Sequence, residues 1–219
     1  MGGTSSKATQ VLSTPNWDPV RYSGTWVEVG RYIDPSKTVC NDMRVHVVGS
    51  DTQLDVTYSC GCGLKDSTSC GKDLHFVATR VGDTAMYQPV AKSSSGAESF
   101  VVMYTDYLNW SVVTNENVTR VSIYKRVAEN EQLVFTFDDY HYLYAKLKEL
   151  GLLPSSVLLT GSTIRALSTL GIYTGTLIDP FCYSDEGQIY GSGMPNVCDH
   201  QRTLPKTLAW GSSETSLLQ

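Results

Sequence analysis

Between residues 25 and 126 short runs rich in Val, Tyr, Thr and Ile alternate with breaks of Gly, Asp, Asn and Ser. This spacing is that of a barrel or sandwich. It predicts eight strands, at 25–33, 43–49, 52–60, 72–81, 84–91, 98–105, 107–114 and 118–126, joined mostly by tight turns such as Gly49-Ser50-Asp51 and Gly82-Asp83. Alternation is clearest in Leu54-Asp55-Val56-Thr57-Tyr58, where Leu54, Val56 and Tyr58 share one face of a half-buried sheet. With no helix between the strands, the connections are hairpins and the pairing is antiparallel. Closure into a barrel would remove the exposed edges.

The period then changes. Tyr140, Leu143, Tyr144, Leu147 and Leu150 recur at three and four residues, with Asp138 and Asp139 in front and Lys146, Lys148 and Gly151 near the end. Those positions suit a helix over 138–150, with charges matched to its dipole and a glycine stop. Val157-Leu158-Leu159 predicts a ninth strand, and 162–170 a second, weaker helix. Residues 1–13 read as a loosely held N-terminus or an expression remnant, 14–160 as the barrel with its helix, and 161–219 as a partly ordered C-terminal extension tethered by a disulfide.

Composition changes this picture little. With 41% apolar and 18% charged residues over 219, there is ample core for one domain. The net charge of −5 and scattered Lys and Arg argue against a nucleic-acid or anionic-membrane surface, and no apolar run approaches the ~20 residues that span a bilayer. Six cysteines, Cys40, Cys60, Cys62, Cys70, Cys182 and Cys198, form an even set that points to disulfides and an oxidising compartment, a secreted protein or an organelle lumen. A zinc site from Cys60, Cys62 and Cys70 is the weaker alternative, because the paired two-residue spacings and any nearby His are missing. Cys70 is expected to pair with Cys60 or Cys62 across the intervening loop, Cys60 being favoured by reach. None of His46, His75, His141 and His200 stands beside a nucleophile or a carboxylate pair. His46 is expected to face solvent, whereas the orientation of His75 is left open by the pattern. No catalytic or metal-ligating set emerges.

The folded part opens with Asn16-Trp17-Asp18-Pro19-Val20-Arg21-Tyr22-Ser23-Gly24-Thr25-Trp26. Farther on come Thr105-Asp106-Tyr107-Leu108-Asn109-Trp110 and Tyr124-Lys125-Arg126. These segments resemble the three motifs of the lipocalins in order and separation, over about residues 14–160. The wording is nearest to the apolipoprotein D-like and plastid lipocalins. The resemblance implies an all-β fold, an eight-stranded antiparallel up-and-down barrel with one flanking helix. It also implies a carrier of a small hydrophobic molecule, with no obligatory cofactor beyond a bound pigment or lipid. Gly24, Trp26, Asp106 and Arg126 would hold the fold, the Arg126 guanidinium lying over Trp26 to plug the floor. Related lipocalins tether the segment after the helix to the first interstrand loop, which implies a pairing of Cys40 with Cys182 or Cys198.

With Trp26 and Arg126 facing inward, strand parity brings further residues to the hollow. These are Glu28 and Tyr32 on strand one, Val56 and Tyr58 on strand three, and Ser122 and Tyr124 on strand eight. Strand six would add Phe100, Val102 and Tyr104, and strand seven Leu108, Trp110 and Val112, with Asn109 outside in a glycosylation triplet. Aromatic faces mixed with phenolic hydroxyls suit a flat conjugated ligand with a few polar groups, a bilin, retinoid or carotenoid, better than a plain fatty acid. Two other roles stay open. One is a structural subunit docking a protein partner through 161–198. The other is an enzyme like the isomerase or the xanthophyll de-epoxidases of the family, for which Glu28 is the sole inward acid on strand one.

Overall fold

The computed structural model describes residues 13–32, 42–61, 73–90, 98–116, 118–171 and 175–177. Eight strands follow one another round a closed antiparallel barrel: β1 Gly24–Tyr32, β2 Asp42–Gly49, β3 Gln53–Gly61, β4 Leu74–Arg80, β5 Met86–Pro89, β6 Phe100–Thr105, β7 Trp110–Asn115 and β8 Val121–Val127. Each strand pairs with its chain neighbour, and β1 closes the ring between β8 and β2. The lower half of β1 pairs with β2 through Gly24–Val27. Its upper half is free of β2 and takes instead a ninth strand, β9 Leu158–Leu159, at Gly30 and Arg31.

Helix α1, Pro19–Tyr22, crosses the lower end, its first turn capped by Asp18, which accepts from the Arg21 N–H. Helix α2, Phe137–Glu149, lies on the outside of the barrel. Its start is fixed by a capping box: the Thr136 hydroxyl accepts from the Asp139 N–H at 3.2 Å, and Asp139 accepts from the Thr136 N–H at 2.7 Å. Gly151, at φ +73°, follows its end, as expected of a left-handed stop. A third helix, α3 Gly161–Ser168, follows β9.

Two apolar cores result. One fills the lower barrel around Trp17, Tyr22, Trp26, Leu54 and Tyr87. The other lies between the barrel wall and the helices and joins Val29, Trp110, Ile123, Tyr140, Leu143 and Leu147, with Leu167 and Leu177 from the extension. The wall is therefore buried on both faces along β1, β7 and the first half of β8, and this governs which side chains reach the hollow.

The seventh strand begins at Trp110, three residues later than the pattern predicts. Asp106 Oδ1 accepts hydrogen bonds from the N–H groups of Leu108, Asn109 and Trp110 at 3.0, 2.7 and 2.8 Å, and Tyr107 sits at φ +62°. One carboxylate thus holds residues 107–109 in a turn and withdraws them from the ladder.

Candidate functional site

The lower end of the barrel is shut by groups from the three sequence motifs. The Arg126 guanidinium lies 5.2 Å from the Trp26 ring centre. It also donates to the carbonyls of Arg21 at 3.1 Å, of Tyr107 and of Ser23. Gly24 is required beneath it, since a Cβ there would stand 2.5 Å from Arg126 Nη2 at a backbone φ of +142°. Trp26 stacks on Tyr22 at 4.9 Å, and the Tyr22 hydroxyl reaches the Ser111 hydroxyl at 2.9 Å. Trp17 donates from Nε1 to the Tyr87 hydroxyl at 2.7 Å and stacks on Tyr107. The polar groups of Arg126, Tyr22 and Trp17 in this floor are thus all partnered within it.

The upper end is different. A cavity of about 270 Å³ lies among the ends of β2, β3, β4, β6, β7 and β8. One side is apolar, with Met43, Leu74, Phe76, Phe100 and Val113. The other carries Tyr58, Ser122, Tyr124, Thr114, Asn115 and, at the rim, the exposed Arg120. Glu28 lies buried opposite Tyr124 in the β1–β8 ladder, and Arg31 pairs with it as an ion pair inside the wall. Burial pushes the Glu28 carboxyl up from its ordinary value, and Arg31, Ser122 and Arg120 offset part of that rise. Burial likewise pushes the phenols up, Tyr58 to about 12 and Tyr124 well beyond its usual range. Both tyrosines are neutral hydroxyls at any physiological pH.

The structure brings Glu28, Val56, Tyr58, Phe100, Val102, Ser122 and Tyr124 to the inner face. Tyr32, Tyr104, Trp110 and Val112 do not face the hollow, and their expected orientation is corrected. In β1 the register jumps between Glu28 and Gly30, so that Ser122 opposes Arg31 and the outward Val121 opposes Tyr32. The bulge turns Arg31 inward and Tyr32 outward, where its hydroxyl donates to the Leu153 carbonyl. A second jump between Val102 and Tyr104 turns Tyr104 outward, its hydroxyl on that of Tyr142.

In β7 the inward residues are Ser111 and Val113, opposite Tyr124 and Ser122. Trp110 packs instead on Phe135 and Tyr142, and Val112 joins the same outer core. Leu108 is 71% exposed in the turn. Because α2 covers the outside of β7, both of its faces are buried, and hydrophobicity alone cannot say which is inner. Sequence reasoning missed Phe76 and Leu74, although Leu74, Phe76 and Ala78 alternate with more exposed neighbours. It also missed Arg31, for which the isolated Gly30 inside a strand was the available signal of a bulge.

His75, whose orientation the pattern leaves open, points outward, with Nε2 2.7 Å from Asp55 Oδ1. His46 is exposed beside Thr25. Among the described residues no group of His, Cys, Asp and Glu could hold a metal ion. Cys60, at the end of β3, is disulfide-bonded. Cys40, Cys62, Cys70, Cys182 and Cys198 lie outside the described residues, and so do the expected pairings that involve them.

A closed up-and-down ring of eight strands, a short helix across the floor, an arginine over the floor tryptophan and a long helix on the outer wall decide the architecture. The chain has the lipocalin fold. No protein-family model matches the chain, and no curated protein matches it. Among solved structures, the chain is similar to apocrustacyanin C2 at 17% identity and a TM-score of 0.43, and to apocrustacyanin C1 at 16% and 0.45. Each match covers 67% of this chain and 79% of the other. No helix of this lipocalin-fold chain, among the described residues, is long and apolar enough to cross a membrane.

Proposed function

We propose that the barrel carries or sequesters a small, flat, largely apolar molecule in the cavity at its upper end. The observation that carries this reading is the division of the cavity wall, with Met43, Leu74, Phe76 and Phe100 on one side and hydroxyl, amide and guanidinium groups on the other. Concave, mostly apolar sites with a few convergent polar groups are where small molecules bind. A bilin, a retinoid or a carotenoid fits such a wall better than a plain lipid, since Tyr58 stacks on Phe76 at 5.7 Å and offers an aromatic surface to a flat partner. The disulfide at Cys60 favours a secreted protein or one in another oxidising compartment.

The test is an absorbance spectrum and mass analysis of protein purified from its source, with calorimetric titration of the stripped protein by a bilin, a retinoid, a carotenoid and a fatty acid. A co-purified chromophore, or saturable binding of one conjugated class, is the expected result. Colourless protein that binds none of the four contradicts the carrier. A subunit docking through 161–198 would instead elute from native extract as a stable complex on gel filtration.

A further inference from the structure

The mouth of the cavity carries two opposite charges that the fold itself does not use. This step rests on the carrier reading and names its ligand class. Phe100 on β6 stands opposite Asn115 on β7. The Asn115 N–H donates to the Arg120 carbonyl at 3.2 Å, which brings Arg120 into the same row, just before β8. Arg120 alternates with Ser122 and Tyr124 and lines the cavity with them, while Glu98, two residues beyond Phe100, lines it from the β6 side. The Arg120 main chain is fixed, since its N–H donates to Asn115 Oδ1 at 3.0 Å and its carbonyl accepts from Thr114 Oγ1 at 2.9 Å. The charged ends are not: neither the Glu98 carboxylate nor the Arg120 guanidinium makes a hydrogen bond or ion pair with a described residue, and the two do not pair with each other.

One strand, β7, separates β6 from β8. At about 4.8 Å per strand step, with Glu98 offset along its strand by two residues, the main chains of Glu98 and Arg120 stand roughly 12 Å apart. A small polar group placed between the two side chains would touch both. An anion there would be repelled by Glu98 and a cation by Arg120, whereas a group bearing both charges satisfies each. We infer that Glu98 and Arg120 clasp a zwitterionic head, an ammonium and a carboxylate on one carbon, of a ligand whose flat body lies inward against Tyr58, Phe76 and Phe100. The chemical class is an aromatic α-amino acid. Size points the same way: an apolar cavity of about 150 Å³ takes one benzene ring, so about 270 Å³ suits the two fused rings of an indole.

Calorimetric titration of the full chain at neutral pH and low salt tests this with four probes of one ring system: tryptophan, tryptamine, which lacks the carboxylate, indole-3-propionate, which lacks the amine, and uncharged 3-methylindole. Both side chains are exposed, so each contact is that of a surface ion pair, and tryptophan should bind up to about fivefold tighter than either singly charged analogue. Arg120→Gln should remove the advantage of tryptophan over tryptamine and keep that over indole-3-propionate. Glu98→Gln should do the reverse, and 3-methylindole should bind all three proteins alike. A urea melt of each variant should match the wild type, since neither side chain is used by the fold. Tryptophan no tighter than one of its singly charged analogues in the wild type overturns the inference. So does an advantage that survives the substitution meant to remove it. If no indole binds while a retinoid or bilin does, the amino-acid site falls and the carrier stands. If no apolar probe binds, both fall.

Discussion

The two ends of the barrel are built from the same strands and differ in how their polar groups are satisfied. At the lower end Arg126 bonds to three carbonyls, Trp17 to Tyr87, Tyr22 to Ser111 and Asp106 to a run of turn amides. Each partner belongs to the fold itself. At the upper end Tyr58, Ser122 and Tyr124 border the cavity, and the buried Glu28 behind them is paired with Arg31 in the wall. Polar groups that border a concave, partly apolar cavity keep donors and acceptors for a bound molecule. On the carrier reading proposed above, the lower end supplies stability and the upper end recognition.

This division can be broken at either end. Trp26→Ala should have the largest effect, a loss of about 3–5 kcal/mol in a urea melt, because a side chain 1% exposed would leave a cavity in a floor that cannot collapse onto it. Alkali should act mainly through the buried phenols. Tyr58 titrates near 12 when folded and near 10.0 when not, so above pH 10 the unfolded chain releases a proton that the folded barrel retains. That stability is complete below pH 10 and falls as pH rises towards 12, by up to about 3 kcal/mol. A chemical-denaturation series across this range should show the fall, and Tyr58→Phe should flatten part of it. Arg126→Met should cost about 2 kcal/mol by calorimetry, since three carbonyls lose a charged donor while Trp26 keeps an apolar neighbour. Tyr32→Phe is the smallest change, about 1 kcal/mol from the lost bond to Leu153, with ligand affinity unaltered because the ring lies outside the hollow.

The fold was legible because each of its three motifs is compact in sequence. Asp106 acts within one turn, whereas Gly24, Trp26 and Arg126 meet from opposite ends of the barrel sequence, and it is the order and spacing of the motifs that carries their roles. The flanking helix was equally legible, as its apolar stripe and terminal charges are local. The inner wall was legible only up to the first irregularity. Counting alternate residues from Trp26 correctly reaches Glu28, but one extra residue at the bulge inverts every later position, so Tyr32 and Arg31 exchange faces. On β6 the same event places Met103 and Tyr104 against the helix layer. On β7, counting by parity puts Leu108, Trp110 and Val112 inside, yet the turn held by Asp106 takes Leu108 out of the strand and Trp110 and Val112 pack under α2. Ser111 goes inward because Tyr22 needs a partner, a contact between residues 89 apart that no local pattern reveals.

The central claim, that the upper cavity holds the ligand, is tested most directly by filling it. Val113 lines that cavity and faces Ser122 across the ladder, so Val113→Trp would occupy the space between the aromatic and hydroxyl sides. Calorimetric titration of this variant with the conjugated probe that the wild type binds best should show affinity lost by at least about a hundredfold, roughly 2.7 kcal/mol, in a barrel that still unfolds cooperatively. Unchanged affinity in a folded Val113→Trp barrel would contradict the account and place the ligand elsewhere on the protein.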